Sequence, residues 1–270
     1  MTQRYQHLGK SSSYSQGYNP QLLDPISRNK IRKSLNLNID KELYGFDRWF
    51  CFEISALNSN LKPFNLMLYF DVLCSSPYMV ESKSLKLYLN GFNNCIVDGS
   101  EELIHTLNKD LSNCLESPVY FKSFDIKKMF KNISHGFSCL DNQDALQSFK
   151  FNASQEMFID AEEHVFQEYY TELFRSLCPV TNQPDWASVF LKYMGKKINV
   201  SSLLNYLCSY RECAMFHESC VEKIYNDIYK FANCKTLSVY AHFLRRGGIS
   251  LMPVRTSSND SLDLIYDSRF

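Results

Sequence analysis

From Asp47 onward apolar side chains recur at every second position. Phe50, Phe52, Ile54 and Ala56 alternate as in a strand with one buried face, and Phe64, Leu66, Leu68, Phe70 and Val72 repeat the pattern after a turn at 58–63. The period then lengthens. Leu85, Leu89 and Phe92 fall at i, i+4 and i+7, with Gly91 weakening that helix near its end. Ser100 is placed to cap a second helix whose stripe is Leu103, Leu107, Leu111 and Cys114. Val119, Phe121 and Ser123 predict another strand, and Phe149 with Phe151 a further short one. Residues 126–147 follow no period.

The second half runs in the same order. Residues 165–177 are apolar and ambiguous, because Phe166, Tyr170 and Phe174 also suit a helix. The β-branched Val165 and Thr171, the aromatics and the stop at Pro179 favour a strand. Val189, Leu191 and Tyr193 alternate in the next strand. Ser201 or Ser202 is expected to cap a helix carrying Leu203, Leu207 and Tyr210. A second helix presents Cys220, Ile224, Ile228 and Phe231, and Leu237, Val239, Ala241 and Phe243 close with a strand. Each half thus reads strand, strand, helix, helix, strand. This predicts an α+β chain of two tandem domains, with antiparallel sheets and paired helices on one face. The boundaries fall at 46–155 and 156–270. Residues 1–45 are broken by Gly17, Pro20 and Pro25 and are expected to form an arm lying on the body, with the basic run Arg28 to Lys33 in solvent.

Composition narrows the classes. The 270 residues balance 29 basic against 29 acidic side chains, which excludes a broad electrostatic nucleic-acid footprint or a polybasic membrane surface. A chain this long buries roughly three quarters of its unfolded surface and needs no staples. It lacks an apolar run of about 18 residues and a signal-peptide core at its polar start, so the expectation is a cytoplasmic protein with ten free thiols. There is no C-x-x-C pair, and Cys213, His217 and Cys220 lack a fourth metal ligand.

The candidate chemistry lies in Leu177 to Ser188, L-C-P-V-T-N-Q-P-D-W-A-S. Pro179 should end the strand that delivers Cys178, leaving the thiol at a loop mouth. Pro184 suits a turn corner and would fold Asp185 back toward the thiol. A nucleophile and a proton donor on one short loop make a catalytic arrangement; a buried inert cysteine near a surface turn is the plainer reading. Lys83 and Lys86, three apart, share a helix face and could meet phosphates. Arg246 beside Gly247 offers a guanidinium and a close-approaching backbone. No G-x-G-x-x-G follows a strand, so a Rossmann fold is not indicated.

Glu81-Ser82-Lys83-Ser84-Leu85-Lys86-Leu87-Tyr88 matches the E-S-K-S-x-K-[LY]-[YFW] signature of the QueF family, NADPH-dependent 7-cyano-7-deazaguanine reductases of queuosine biosynthesis. The Cys178 loop resembles their nucleophile loop, Phe216-His217-Glu218 their F-H-E motif, and Arg245-Arg246-Gly247-Gly248 their R-R-G-G turn. The order resembles the long, two-module branch, from about His7 to Arg255. Asn182 departs from a common glycine, and Ser250-Leu251-Met252 from the usual D-I-N before Pro253. Beyond Arg255 the polar tail is expected to fray.

The resemblance implies two tandem tunnelling-fold (T-fold) modules in a homodimer. The implied reaction is reduction of a nitrile to an amine with two NADPH as co-substrate, through a thioimide on Cys178, with no metal, membrane or nucleic-acid partner. Cys178 must react as thiolate. Asp185 must protonate the nitrile nitrogen, and would need desolvation or a neighbouring acid to stay protonated at pH 7. Glu218 can accept two N–H bonds from a guanine-like edge. Val80, Glu81, Ser82 and His217 are implied at the substrate, with Phe216 able to stack on it. Ser82, Lys83, Arg246 and Gly247 are implied at NADPH. Two other classes stay open: a cysteine-dependent hydrolase or amidotransferase acting on a nitrile or amidine, and a non-catalytic purine- or pterin-binding T-fold module. Cys220, two residues past Glu218, is expected at the pocket rim, where a reversible disulfide would shield Cys178 from oxidation.

Overall fold

The computed structural model describes residues 17–37, 43–129, 136–143, 159–267 and 269. A 3-10 turn at Pro20–Leu22 is followed by β1 (Pro25–Ser27) and α1 (Arg28–Ser34), so the expected arm is structured where it is described. Its basic run is only half solvated: Lys30 and Lys33 are exposed, Arg28 and Arg32 are not. The Arg28 guanidinium is buried 2.5 Å from Asp47, and Arg32 lies 2.6 Å from Glu222. A periodicity reading takes such a run for a surface because it cannot see carboxylates that far along the chain.

Next come β2 (Tyr44–Leu57), β3 (Pro63–Leu73), β4 (Tyr78–Val80), α2 (Ser82–Asn90), α3 (Gly99–Leu115), β5 (Lys122–Ser123), α4 (Ile126–Met129) and β6 (Ser138–Cys139). The second half holds β7 (Ile159–Leu177), β8 (Pro184–Ile198), α5 (Val200–Cys208), α6 (His217–Phe231), β9 (Thr236–Phe243) and β10 (Ile249–Thr256). Eight strands form one sheet in the order β5-β3-β2-β10-β9-β8-β7-β6, antiparallel except at β6–β7; β1 pairs with β4 apart from it. The seam between the halves is β10 on β2, from Ile249 opposite Cys51 to Thr256 opposite Tyr44. Periodicity misses β10 because both of its faces are buried, so it shows no alternation. Gly45 permits the close seam, since a Cβ there would sit 2.1 Å from the Val254 carbonyl oxygen.

Ile249 and Leu251 join one core with α2 and α3, while β7, β8 and β9 pack against α5 and α6 in a second. Both cores lie on the same side of the sheet. The other side holds Phe50, Phe52, Phe190, Tyr240, Met252 and Val254, covered by Leu264 and Ile265 of the C-terminal segment. That segment is docked and not frayed over its described residues. Leu264, Ile265 and Asp267 are buried, and Asp267 accepts a hydrogen bond from Ser188.

The strand spanning 50–56 differs from its expected pattern. A bulge between Cys51 and Ile54 shifts the register, so Phe50 and Phe52 face one side while Ile54 and Ala56 face the other. Two caps also move. The second helix begins at Gly99 after Asp98, not behind Ser100, and Asn199 rather than Ser201 or Ser202 caps α5, accepting from the Ser202 N–H at 2.9 Å. The strand expected at 119–123 shortens to two residues, and the one at Phe149 and Phe151 lies outside the described residues. The 165–177 stretch is a strand, as its β-branched and aromatic content predicts. Among the described residues no helix is long and apolar enough to cross a membrane.

Candidate active site

A cavity of about 480 Å³ opens where the start of α2, the β7–β8 loop, the start of α6 and the β9–β10 turn converge. The nucleophile loop is fixed by its own backbone. Cys178 N–H donates to the Gln183 carbonyl at 2.9 Å, and Asn182 N–H donates back to the Cys178 carbonyl at 3.0 Å. Asn182 has φ +54°, a conformation asparagine tolerates better than most residues, which accounts for an asparagine at this turn. The turn closes one step earlier than expected. Pro184 is the first residue of β8 and not a corner, and Asp185 is a strand residue opposite Ser176. Strand anchoring makes Asp185 a fixed group, and Cys178 remains half-buried at the loop mouth.

Asp185 is buried, with Oδ2 3.3 Å from His217 Nε2 and Oδ1 3.1 Å from the Arg246 guanidinium, which also bonds the Pro184 carbonyl. Burial alone would raise its carboxyl. The hydrogen bond and charge of His217, then the charges of Arg246 and Lys86, outweigh that and hold it below the usual carboxylate range. The expectation of a protonated Asp185 is therefore corrected. The cavity surrounds it with cations, where the expectation was an apolar wall or a second acid. His217 is oriented by stacking on Phe243, ring centroids 3.9 Å apart.

The acid with a raised pKa is Glu218, in the first turn of α6. It is 5 % exposed, and burial followed by the Asp47 charge pushes its carboxyl up to about 7. Glu81 is buried at the start of α2 and caps it. Its two oxygens accept from the Lys83 and Ser84 N–H groups, each at 2.8 Å. Carboxylate caps satisfy the orphan donors of a first turn, so the signature glutamate has a local structural reason as well as a place on the cavity wall.

Val80, Glu81, Ser82 and Lys83 from the first half line the same cavity as Cys178, Asp185, His217, Glu218 and Arg246 from the second. Phe216 lines it too. Gly247 does not; it borders a neighbouring cavity of about 400 Å³. Lys86 lines both, a placement that helix spacing from Lys83 hinted at without fixing. Cys220 is not at the rim. It is fully buried among the helix-facing core residues, and burial raises its thiol. Cys213 precedes α6, so it does not share a helix face with His217 and Cys220.

Two family models match. Nitrile reductase, 7-cyano-7-deazaguanine-reductase N-term, covers residues 14–123, and QueF-like protein covers 184–261. A curated NADPH-dependent 7-cyano-7-deazaguanine reductase of Legionella pneumophila (strain Lens) is 40% identical over 254 residues, 93% of this chain and 89% of that protein. Another, of Buchnera aphidicola subsp. Schizaphis graminum (strain Sg), is 40% identical over 245 residues, 88% of this chain and 93% of its own. Among solved structures, the apo archaeosine synthase QueF-Like aligns with 36% of this chain and 96% of its own at 17% identity and a TM-score of 0.32. Identity at this level along nearly the whole length places the chain in the family of NADPH-dependent 7-cyano-7-deazaguanine reductases.

Proposed function

We propose that the protein reduces the nitrile of 7-cyano-7-deazaguanine to the primary amine, consuming two NADPH and two protons, as a step of queuosine biosynthesis. The observation that carries this reading is the meeting of Cys178, the Asp185–His217 pair and Glu218 in one cavity with the start of α2. The chain is two T-fold modules, divided as 46–155 and 156–270, acting as a cytoplasmic homodimer.

Cys178 adds as thiolate to the nitrile carbon. One π pair moves to nitrogen, which takes a proton, and the product is a thioimide. Asp185, ionised in the resting protein, must first take up a proton, from solvent or through His217 3.3 Å away, and then delivers it to the nitrogen. Glu218 receives the ring N–H and 2-amino group of the base, and Phe216 stacks on it. Val80, Glu81 and Ser82 close the site from the other half. The cations Lys83 and Arg246, with Ser82 and the side-chain-free Gly247, suit a phosphorylated dinucleotide and would hold NADPH, which supplies hydride when bound.

The test is intact mass spectrometry with 7-cyano-7-deazaguanine and no NADPH. The protein should gain the full mass of the nitrile at Cys178, and Cys178→Ala should gain none. An adduct on another cysteine, or none where binding is demonstrated, overturns the mechanism. Loss of 340 nm absorbance on adding NADPH then separates reduction from hydrolysis of the nitrile or simple binding.

A further inference from the structure

We propose that Arg245 is a positioning residue, which latches the β9–β10 turn onto the bulge of β2 and so sets Arg246 and Gly247 for the cofactor. This rests on the assignment of that turn to NADPH above.

The turn is a short hairpin closed by its own backbone. Arg246 N–H donates to the Ile249 carbonyl at 2.9 Å and Ile249 N–H donates back at 3.3 Å, which leaves only Gly247 and Gly248 between them. Their φ values are +57° and +80°, the left-handed pair that lets a two-residue loop match the twist of its strands. These bonds fix the turn within the second half of the chain. Seam pairing with the first half begins only beyond it, at Ile249 opposite Cys51.

The bulge in β2 supplies the missing attachment. Cys51 pairs with Leu68 and Ile54 with Leu66, so Phe52 and Glu53 together oppose one residue of β3. Both bulge residues serve the turn. Phe52 N–H donates to the Gly248 carbonyl at 2.8 Å. Glu53 lays its stem against the same glycine, where a built Cβ would lie 3.4 Å from both Glu53 Cβ and Cγ. The Phe52 ring then carries the Arg245 guanidinium 4.6 Å from its centroid, within the range of a cation–π contact.

The two arginines work on opposite faces of the sheet. Arg246 lines the cavity on the helix side, 3.1 Å from Asp185 and bonded to the Pro184 carbonyl. Phe52 belongs to the cluster on the reverse side, with its ring edge-on to Phe124 at 5.5 Å. A buried, packed ring is a fixed seat. With one guanidinium held behind the sheet, the backbone between the pair resists rolling, and the second guanidinium stays aimed into the cavity. The bulge thereby gains a use, because it hands a backbone donor, a side-chain stem and an aromatic face from the first half to the cofactor turn of the second.

A double-mutant cycle on NADPH binding, followed by the cofactor's own fluorescence with no nitrile present, tests the latch. Arg245→Ala should weaken NADPH about threefold, the scale of one exposed cation–π contact. Arg245→Lys keeps a cation above the ring and should recover part of the loss. Phe52→Leu keeps the Arg245 charge but removes its seat, and should weaken NADPH to a similar extent. Added to Arg246→Ala, Arg245→Ala should have no further effect, because it acts through its neighbour. Calorimetric affinity of Arg245→Ala for 7-cyano-7-deazaguanine should match the parent. Unchanged NADPH affinity in Arg245→Ala overturns the proposal. So do additive losses in the double variant, since Arg245 would then touch the cofactor itself. Equal weakening of both ligands also overturns it, by marking a merely structural contact. A parent that binds no NADPH sinks the assignment of the turn, whereas a binding parent with Arg245→Ala unchanged sinks only the latch.

Discussion

Asp185 Oδ2 faces His217 Nε2 at 3.3 Å, and its other oxygen faces Arg246 at 3.1 Å. An imidazole and a guanidinium on one buried carboxyl make it a stabilising ion in the resting protein. Its folded pKa lies below the unfolded value of about 3.9, so its contribution is complete above that value and fades as pH falls through the folded one. In urea unfolding, Asp185→Asn should therefore cost stability at neutral pH and lose its difference from the parent in acid. An unchanged difference at both pH values would show that the partners do not hold the ion. The same variant should bind the base yet form the nitrile adduct far more slowly.

Glu218 behaves in the opposite sense. Burial and Asp47 raise its carboxyl to about 7, so stability falls as pH rises from the unfolded carboxyl value to that point. A base that donates two N–H bonds prefers the ionised form. Calorimetric affinity for 7-cyano-7-deazaguanine should accordingly rise with pH and level off above about 7, and Glu218→Gln should be weaker and flat. A parent affinity that does not change between mildly acidic and mildly alkaline buffer would remove Glu218 from the recognition of the base.

Much of this site was legible before any coordinates. Cys178, Asp185, His217, Glu218 and Arg246 were separable by motif, and the fold brings them to one cavity. What periodicity could not supply was long-range charge and two-sided burial. Arg28 looks like a surface residue until Asp47 is seen beside it, and β10 looks irregular because cores lie on both its faces. The bulge between Cys51 and Ile54 is invisible for a related reason: it keeps apolar residues at alternate positions while switching the side they face. The ionisation of Asp185 is not legible in sequence because His217, Arg246 and Lys86 reach it only through the tertiary fold.

Glu81 carries two readings that one variant separates. Both its oxygens already accept backbone N–H groups of α2. Glu81→Ala should therefore destabilise the protein by about 1 kcal/mol through loss of the cap alone. Glu81→Asp, placed a methylene short, should recover part of that stability. If the carboxylate also reaches the base, the affinity loss in Glu81→Ala will persist in Glu81→Asp. Equal recovery of stability and affinity would reduce Glu81 to a cap.

The buried charge network behind the site makes the last prediction. Arg255 is fully buried and bonds Asp47 at 2.7 Å and Glu222 at 3.0 Å; Asp47 also meets Arg28, and Glu222 also meets Arg32. Three guanidiniums face two carboxylates, joining α1, β2, α6 and β10. Removing Arg255 leaves both acids buried with one partner each, and breaking a buried pair in this way costs about 3–5 kcal/mol. Arg32 is 18% exposed and Glu222 keeps Arg255 when it is lost, so Arg32→Met should cost less than Arg255→Met. Urea denaturation at neutral pH should therefore rank Arg255→Met well below Arg32→Met. Because Asp47 is the second influence on Glu218, Arg255→Met should also leave Asp47 less neutralised and raise the pH at which base affinity levels off. Similar small losses for both arginines, with an unmoved affinity profile, would mean the network neither carries the fold nor reaches the substrate carboxylate.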